Sequence, residues 1–371
     1  MKQKIFSIAF ISIIFFFFFA KMIVPDKSFS YNENRPLEGK PVLSMSNIIN
    51  GTYMTKFENY ISDQIVFRDD FVKFSTDIKL LLGQKEINGV YFSNNYFVEK
   101  FKESDIDNEL LDKTTGFISS FLNNHSNAKI GIIPTAGGVI DGLYPKYSDN
   151  INQQELINKI YSNFKKGQTI DIYNNLKKHE TEDIYYRTDH HWTSLGAYYG
   201  YETIATDFGQ KIITLDNYEK EVVDNKFLGT IQSKVNYDIG ADTIYKYEPK
   251  FHSEYELILN EDYNTKTNSL YDYEKLNSKE KYAVFLGGNN AVTRIINKDI
   301  NNKKILIIKD SYSHSLVPFL INNYSEVVLL DLRYYMGGVE TFLKNEEFDD
   351  ILILYNIKNL VEDRVLIRLN K

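Results

Sequence analysis

The chain has 371 residues, with no cysteine, seven prolines, six histidines, one tryptophan and no excess of positive charge. Each scarcity closes a possibility. Without cysteine there are no disulfides, no thiolate metal ligands and no thiol nucleophile, so any chemistry rests on oxygen and nitrogen groups. The lack does not fix a compartment, because many exported proteins of Gram-positive bacteria also contain no cysteine. A net charge of −7 argues against a nucleic-acid partner, which calls for a concentrated basic face. No H-E-x-x-H run and no second histidine cluster occurs, which weighs against a metal site, and no cofactor is expected. No internal repeat is present.

What is there has a globular balance, 43% apolar and 25% charged, in a chain long enough for one large domain or two ordinary ones. The N-terminus reads "MKQKIFSIAFISIIFFFFFAKMIVPDKS". Lys2 and Lys4 precede an uncharged run from Ile5 to Ala20; Lys21 interrupts it, and Met22, Ile23 and Val24 extend it. About 20 residues span a bilayer core, and the flanking lysines put the N-terminus in the cytoplasm. With no small-x-small site before Lys21, residues 1–24 read first as a retained anchor, with a cleaved signal sequence as the alternative. The remainder is then extracellular. Residues 25–50 are polar, hold three of the prolines, and read as a linker.

Residues 51–371 are expected to form the working domain. Helical spacing marks Phe57, Tyr60, Ile61 and Ile65, continuing through Phe67, Phe71 and Phe74. "INGVYFSNNYFVEKF" reads as a hairpin turning at Asn94-Asn95. From residue 105 onward, short apolar strands ("AKIGIIPTA", "TIDIY", "KKILIIKD", "EVVLLDL", "DDILILYN") alternate with amphipathic helices. That rhythm predicts an α/β fold, a mostly parallel sheet with helices on both faces. Residues 210–280 are rich in Tyr and Asp with weak periodicity, and read as an irregular β-rich insertion.

Two strand-to-helix junctions carry unusual polar residues. One is "YYRTDHHWTSLGAYYGY", residues 185–201; the other is "IIKDSYSHS", where Ser311 follows the strand Ile305–Ile308. Ligands gather at the carboxyl ends of strands in open α/β sheets. A serine hydroxyl needs a base to take its proton, and histidine is the usual one. An acid then fixes the imidazole tautomer. Asp189 and His191, two apart, share a side if the chain is extended, and His190 then points away. Thr193 is a helix N-cap candidate. Other readings stay open at this point: Ser311 as a plain helix cap, Asp189-x-His191 as a surface turn, and Asp189, His190 and His191 as metal ligands.

These residues resemble the DHHW protein family, named for its tetrad and related to the alginate O-acetyltransferases, whose domain is SGNH-hydrolase-like (flavodoxin-like). Further matches in order are "ENRPL", "FENYISDQIVFRDDFV", "NGVYF", "IIPTA", "KDSYSHSLVPFL" and "LDLRYY". The resemblance implies Asp189 and His191 as acid and base and Ser311 as nucleophile, with a circularly permuted motif order. The glycine that commonly precedes such a serine motif is Lys309 here. Asn289 in "LGGNN" is a candidate oxyanion donor, and Arg333 and Tyr334 resemble residues at the rim of the relatives' site. The implied function is a membrane-anchored O-acetyltransferase acting on a cell-surface or secreted polysaccharide. Its acetyl would be supplied by a multispanning membrane O-acyltransferase. An esterase with the same triad and a non-catalytic scaffold are the alternatives.

Overall fold

The structure, a computed structural model, describes residues 2–300 and 303–371. It divides into two compact units, one comprising residues up to Asn88 with Gln232–Asp238, the other Gly89–Ile231 with Ile239–Lys371.

The first unit begins with α1, Lys2–Ile23. Its segment Lys4–Ile23 is 20 residues of mean hydropathy 2.3, long and apolar enough to cross a membrane. Two amphipathic helices follow, α2 (Thr52–Gln64) and α3 (Arg68–Leu81). The apolar spacing from Phe57 to Phe74 reads as one pattern, but the chain breaks it at Phe67, which has a left-handed φ of 63°. A new helix then starts with Asp69 and Asp70 in its first turn, where the helix dipole favours acid. Residues before α2 are tied to its end: Asp63 accepts from the Arg35 guanidinium and the Glu38 N–H, and Gln64 brackets the Lys27 backbone.

The second unit opens with a hairpin, β1 (Val90–Ser93) and β2 (Tyr96–Glu99). Asn94 and Asn95 turn it with φ of 47° and 62°, the double left-handed pair that matches strand twist. The rest runs α4 (Asn108–Asn124), β3 (Ala128–Ile133), α5 (Gln153–Tyr161), β4 (Thr169–Ile170), α6 (Ile172–Lys178), α7 (Ser194–Asp207), β5 (Tyr218–Phe227) and β6 (Asp242–Pro249). Five more strands follow, β7 (Tyr255–Leu259), β8 (Val292–Asn297), β9 (Lys304–Lys309), β10 (Glu326–Leu330) and β11 (Asp350–Asn356).

Seven strands make the main sheet, ordered β7-β8-β10-β9-β11-β3-β4. Pairing is parallel from β10 to β4 and antiparallel where β8 and β7 complete one edge. The apolar runs of β9, β10 and β11 are explained by two buried faces. Ile305, Ile307, Val327 and Leu329 join one core with Tyr201 and Ile204 of α7. Their alternates Leu306, Ile308, Val328 and Leu330 join the other with Ile118 and Phe121 of α4. Each such side chain contributes roughly 1.5–3 kcal/mol on burial.

Several local readings change. "TIDIY" is a two-residue strand whose Ile172 and Tyr173 already belong to α6, because Asp171 caps that helix by accepting from the Asn174 N–H. Within 210–280, β5 and β6 form a bulged antiparallel ribbon and β7 joins the sheet. Thr193 caps α7 as expected. α7 approaches the preceding loop closely: a Cβ at Gly196 would collide with the Ile184 carbonyl, and one at Gly200 would lie 2.8 Å from the Trp192 ring.

Candidate active site

Ser311 stands at the carboxyl end of β9 as the first residue of a 3-10 turn, Ser311–Ser315, and is half-buried. Its placement is fixed from below by Asp310. That carboxylate accepts from the Tyr312 N–H (3.0 Å), the Asn356 N–H (2.7 Å) and the Asn359 side-chain amide (2.7 Å), so it ties the ends of β9 and β11 together. Burial raises the Asp310 pKa despite these donors. Lys309 points its ammonium into the interior between Asp331 (3.0 Å) and His314 Nε2 (2.7 Å).

The second element is the loop from Tyr185 to Trp192, closed by a bridge between those two residues and by the Tyr186 N–H donating to the His191 carbonyl. It is laced to the serine turn. The Trp192 indole N–H donates to the Tyr312 carbonyl at 2.9 Å, and the Tyr312 hydroxyl donates to the His190 carbonyl. The side chains next to His191 and Ser311 thereby hold those two residues together.

His191 Nδ1 lies 2.6 Å from Asp189 Oδ1, and His191 Nε2 lies 2.8 Å from Ser311 Oγ. With the Nδ1 proton donated to the carboxylate, Nε2 is left to accept from the hydroxyl. Asp189 and His191 are buried, at 3% and 5% exposure. The two meet through a turn: the His191 N–H also donates to Asp189 Oδ1 at 3.0 Å. The loop is therefore not extended, and the expectation that His190 points away does not hold. Its ring lies 3.9 Å from that of His191, because a tight turn replaces strand alternation.

Burial would raise the Asp189 carboxyl, but the neighbouring His190 and His191, the hydrogen bond from His191 and the Thr230 N–H outweigh it and hold it below its ordinary range. His191 is pushed down to about 4 by burial first, then by His190, with Arg333 adding to the effect and Asp189 opposing it. The imidazole is thus neutral and able to accept a proton near neutral pH.

Three partners of this arrangement were not evident in the sequence. Tyr282 lies flat on His191, ring centroids 3.8 Å apart and 9° between planes, with its hydroxyl held by Ser315 at 2.9 Å. Thr230 donates to Asp189 Oδ2 from both its N–H (2.8 Å) and its hydroxyl (3.0 Å), and its hydroxyl oxygen accepts from His190 Nδ1 at 2.7 Å. Gly229 leaves room for Asp189, since a Cβ there would lie 2.5 Å from Oδ2. Thr230 and Gly229 come from the aperiodic segment 210–280, where no motif marks them.

Arg333 forks onto Asp331, at 2.9 Å through Nε and 2.7 Å through Nη2, and Nη2 also donates to Asn289 at 3.3 Å. Asn289 is exposed, and Tyr334, also exposed, places its ring 5.7 Å from the Arg333 guanidinium carbon. The three therefore form one group around Asp331. Asp189, His190 and His191 offer metal-ligand atoms within 4.8 Å of one another, but the Asp189 oxygens and the facing imidazole nitrogens already have hydrogen-bond partners.

The DHHW protein family profile matches residues 118–330, more than half of the chain. The chain belongs to this family. Among solved structures, a DHHW family protein from Eubacterium siraeum aligns with TM-score 0.66 and 24% identity, covering 77% of this chain and 96% of that one. Bacillus cereus PatB1, solved with a sulfonyl adduct, aligns with TM-score 0.62 and 21% identity over 76% and 98% of the two chains. At these identities the likeness is one of fold. The O-acetyltransferase domain of Pseudomonas putida AlgJ aligns at TM-score 0.46 and 12% identity over 74% and 93%, too weak to carry weight. No curated protein matches the sequence.

Proposed function

We propose that this DHHW family protein is an extracytoplasmic O-acetyltransferase, anchored by residues 1–24 and linked through 25–50. It acts on hydroxyls of a cell-surface or secreted polysaccharide. The observation that carries the reading is the continuous hydrogen-bonded line Asp189–His191–Ser311. In the first half-reaction Ser311 Oγ attacks the acetyl carbonyl of the donor while its proton passes to His191 Nε2. The donor's leaving oxygen or sulfur departs with that proton, and acetyl remains as a serine ester. In the second half-reaction a sugar hydroxyl gives its proton to Nε2 and attacks the ester. Ser311 Oγ leaves and is reprotonated, and the sugar ester is released. Asp189 keeps the imidazole oriented and stabilises the imidazolium formed in each step. Arg333, Tyr334 and Asn289 are assigned to the rim that positions acceptor or oxyanion.

In this reading residues 51–371 form the transferring domain, and the order of Asp189, His191 and Ser311 is a permuted SGNH-hydrolase arrangement. The anchor keeps the site close to a multispanning membrane O-acyltransferase that supplies acetyl. An esterase uses the same three residues with water as acceptor, and the half-exposed Ser311 keeps that second reading in play.

The test is the acetyl content of surface polymer in cells carrying Ser311→Ala. Loss of acetyl supports transfer, a gain supports the esterase, and no change defeats both. PatB1 was solved with a sulfonyl adduct, and the same chemistry serves here. A sulfonyl fluoride should add one sulfonyl mass to the wild-type chain and none to Ser311→Ala.

A further inference from the structure

Helix α3 carries an apolar stripe that its own unit leaves largely exposed. Phe67, Phe71, Phe74, Ile78 and Leu81 recur at i, i+4, i+7, i+11 and i+14, and Leu82 closes the row; all are exposed, Phe74 at 63% and Leu81 at 87%. The spacing places them on one face of the helix. The face that packs inward is a different one, made by Val72, Thr76 and Leu80, with the Thr76 hydroxyl donating to the Val235 carbonyl. A continuous exposed apolar row on a soluble surface marks something that covers it.

Within the same unit, α1 names the occupant. The Phe71 ring lies 5.7 Å from that of Phe17 on α1, and Phe17, Ala20 and Lys21 are half-buried positions on that otherwise exposed helix. The end of α1 is tied down as well: Lys21 pairs with Asp26, whose carboxylate accepts from the Tyr60 hydroxyl on α2 at 3.0 Å. Phe17 is six residues short of Ile23, the end of α1, which at 1.5 Å per residue is about 9 Å inside the span. Phe71 therefore sits at the depth to which interfacial helices sink, about 5–10 Å into the headgroup and acyl boundary.

We infer that α3 lies in the outer surface of the same bilayer that α1 crosses, with its phenylalanine-rich stripe facing lipid and its Asp70, Lys73 and Asp77 edge facing water. This rests on the reading of α1 as a membrane anchor. The helix has three basic and three acidic side chains, so its attachment is apolar and indifferent to anionic lipid. The consequence for the proposed reaction is geometric. A second contact restrains how the first unit pivots about α1, which keeps the chain near a membrane-embedded acetyl supplier.

The cysteine-free chain allows a direct test on the full-length protein in phosphatidylcholine vesicles, with and without phosphatidylglycerol. Nitroxides at Phe74→Cys and Leu81→Cys read the stripe, Asp77→Cys the polar edge, and Phe16→Cys the anchor. Collision rates with oxygen and with a water-soluble nickel chelate are compared. The oxygen-to-nickel ratio at 74 and 81 should exceed that at 77 by about threefold or more, as for an interfacial helix, and should not change with phosphatidylglycerol. If 16 reads lipid while 74 and 81 match 77, the anchor stands and the inference falls. Shielding of 74 and 81 from both reagents means protein covers the stripe, a second copy or a membrane partner, and also overturns it. If 16 itself reads water, the anchor reading has failed and the inference with it.

Discussion

His191 and His314 are both buried and both depressed by burial, and each faces a polar partner across less than 3 Å; only one of them is free to act. His191 turns Nδ1 to a carboxylate and Nε2 to a hydroxyl, so its accepting nitrogen looks at a proton that can leave. His314 turns Nε2 to the Lys309 ammonium, itself held by Asp331 and lowered in pKa by burial. A proton on that nitrogen would set two positive charges 2.7 Å apart in a dry interior. Aspartate, histidine and a third polar group occur in both clusters. What differs is the group facing the free lone pair, and whether solvent reaches it. The first cluster is suited to proton transfer and the second to holding the Ser311 turn.

The two histidines part most widely when Asp189 is changed. Asp189→Asn leaves the shape but lets Nδ1 accept rather than donate, so kcat on an acetyl ester reporter should fall by about 10³–10⁴. The melting temperature should change little. Next is Gly229→Ala, whose Cβ would displace Asp189. We expect a loss of about 10- to 100-fold, as for an ångström-scale misplacement, with Gly229→Ser no better. Lys309→Met should do the reverse. Asp331 keeps its Arg333 fork but loses one donor, and His314 loses its partner, so unfolding free energy should drop by about 1–3 kcal/mol while activity at low temperature stays within about threefold of wild type. Denaturant melts beside reporter kinetics separate the two clusters. If Lys309→Met abolishes turnover in a protein that still melts cooperatively, the division of labour proposed here is wrong.

How far these roles were readable from sequence depends on where the partners lie in the chain. Asp189 and His191 are two residues apart, and Ser311 ends the apolar run of β9, so pattern and chemistry coincide there. The seven-stranded sheet was equally visible wherever both faces are buried, as in Glu326–Leu330 and Asp350–Asn356, because a fully buried strand is continuously apolar. The antiparallel edge was not. Tyr255–Leu259 begins "YELIL" and Val292–Asn297 carries Thr293 and Arg294, with Arg294 buried among Glu261, Glu326 and Glu346. Such ion-paired interiors look like surface in one dimension. Tyr282, Gly229 and Thr230 were hidden for a different reason. They act by ring stacking, by leaving space and by hydrogen-bonding an aspartate some forty residues away, and none of those needs a local pattern. His190 was misdirected because a turn and a strand segment bring Asp189 and His191 equally close but aim the intervening residue differently.

The finest distinction is one of pH. His191 titrates near 4 in the fold, against its ordinary value of 6.5, because it is buried and neighbours His190 and Arg333. Protonation removes the base, so kcat/KM should stay flat down through pH 6 and fall only near pH 4; a limb close to 6.5 would mean an imidazole exposed to water. The sign for stability follows from the same lowering. The unfolded chain binds this proton at higher pH than the fold does, so the neutral buried imidazole contributes fully above pH 6.5. That contribution is lost progressively as pH falls towards 4. Arg333→Gln removes one of the charges that oppose protonation, and the limb should move up by about half a pH unit or less. The same substitution at Lys309 should leave the limb where it is, because that ammonium is not among the main influences on His191 but acts on His314. A shift with Lys309 and none with Arg333 would exchange the electrostatic roles assigned to the two clusters.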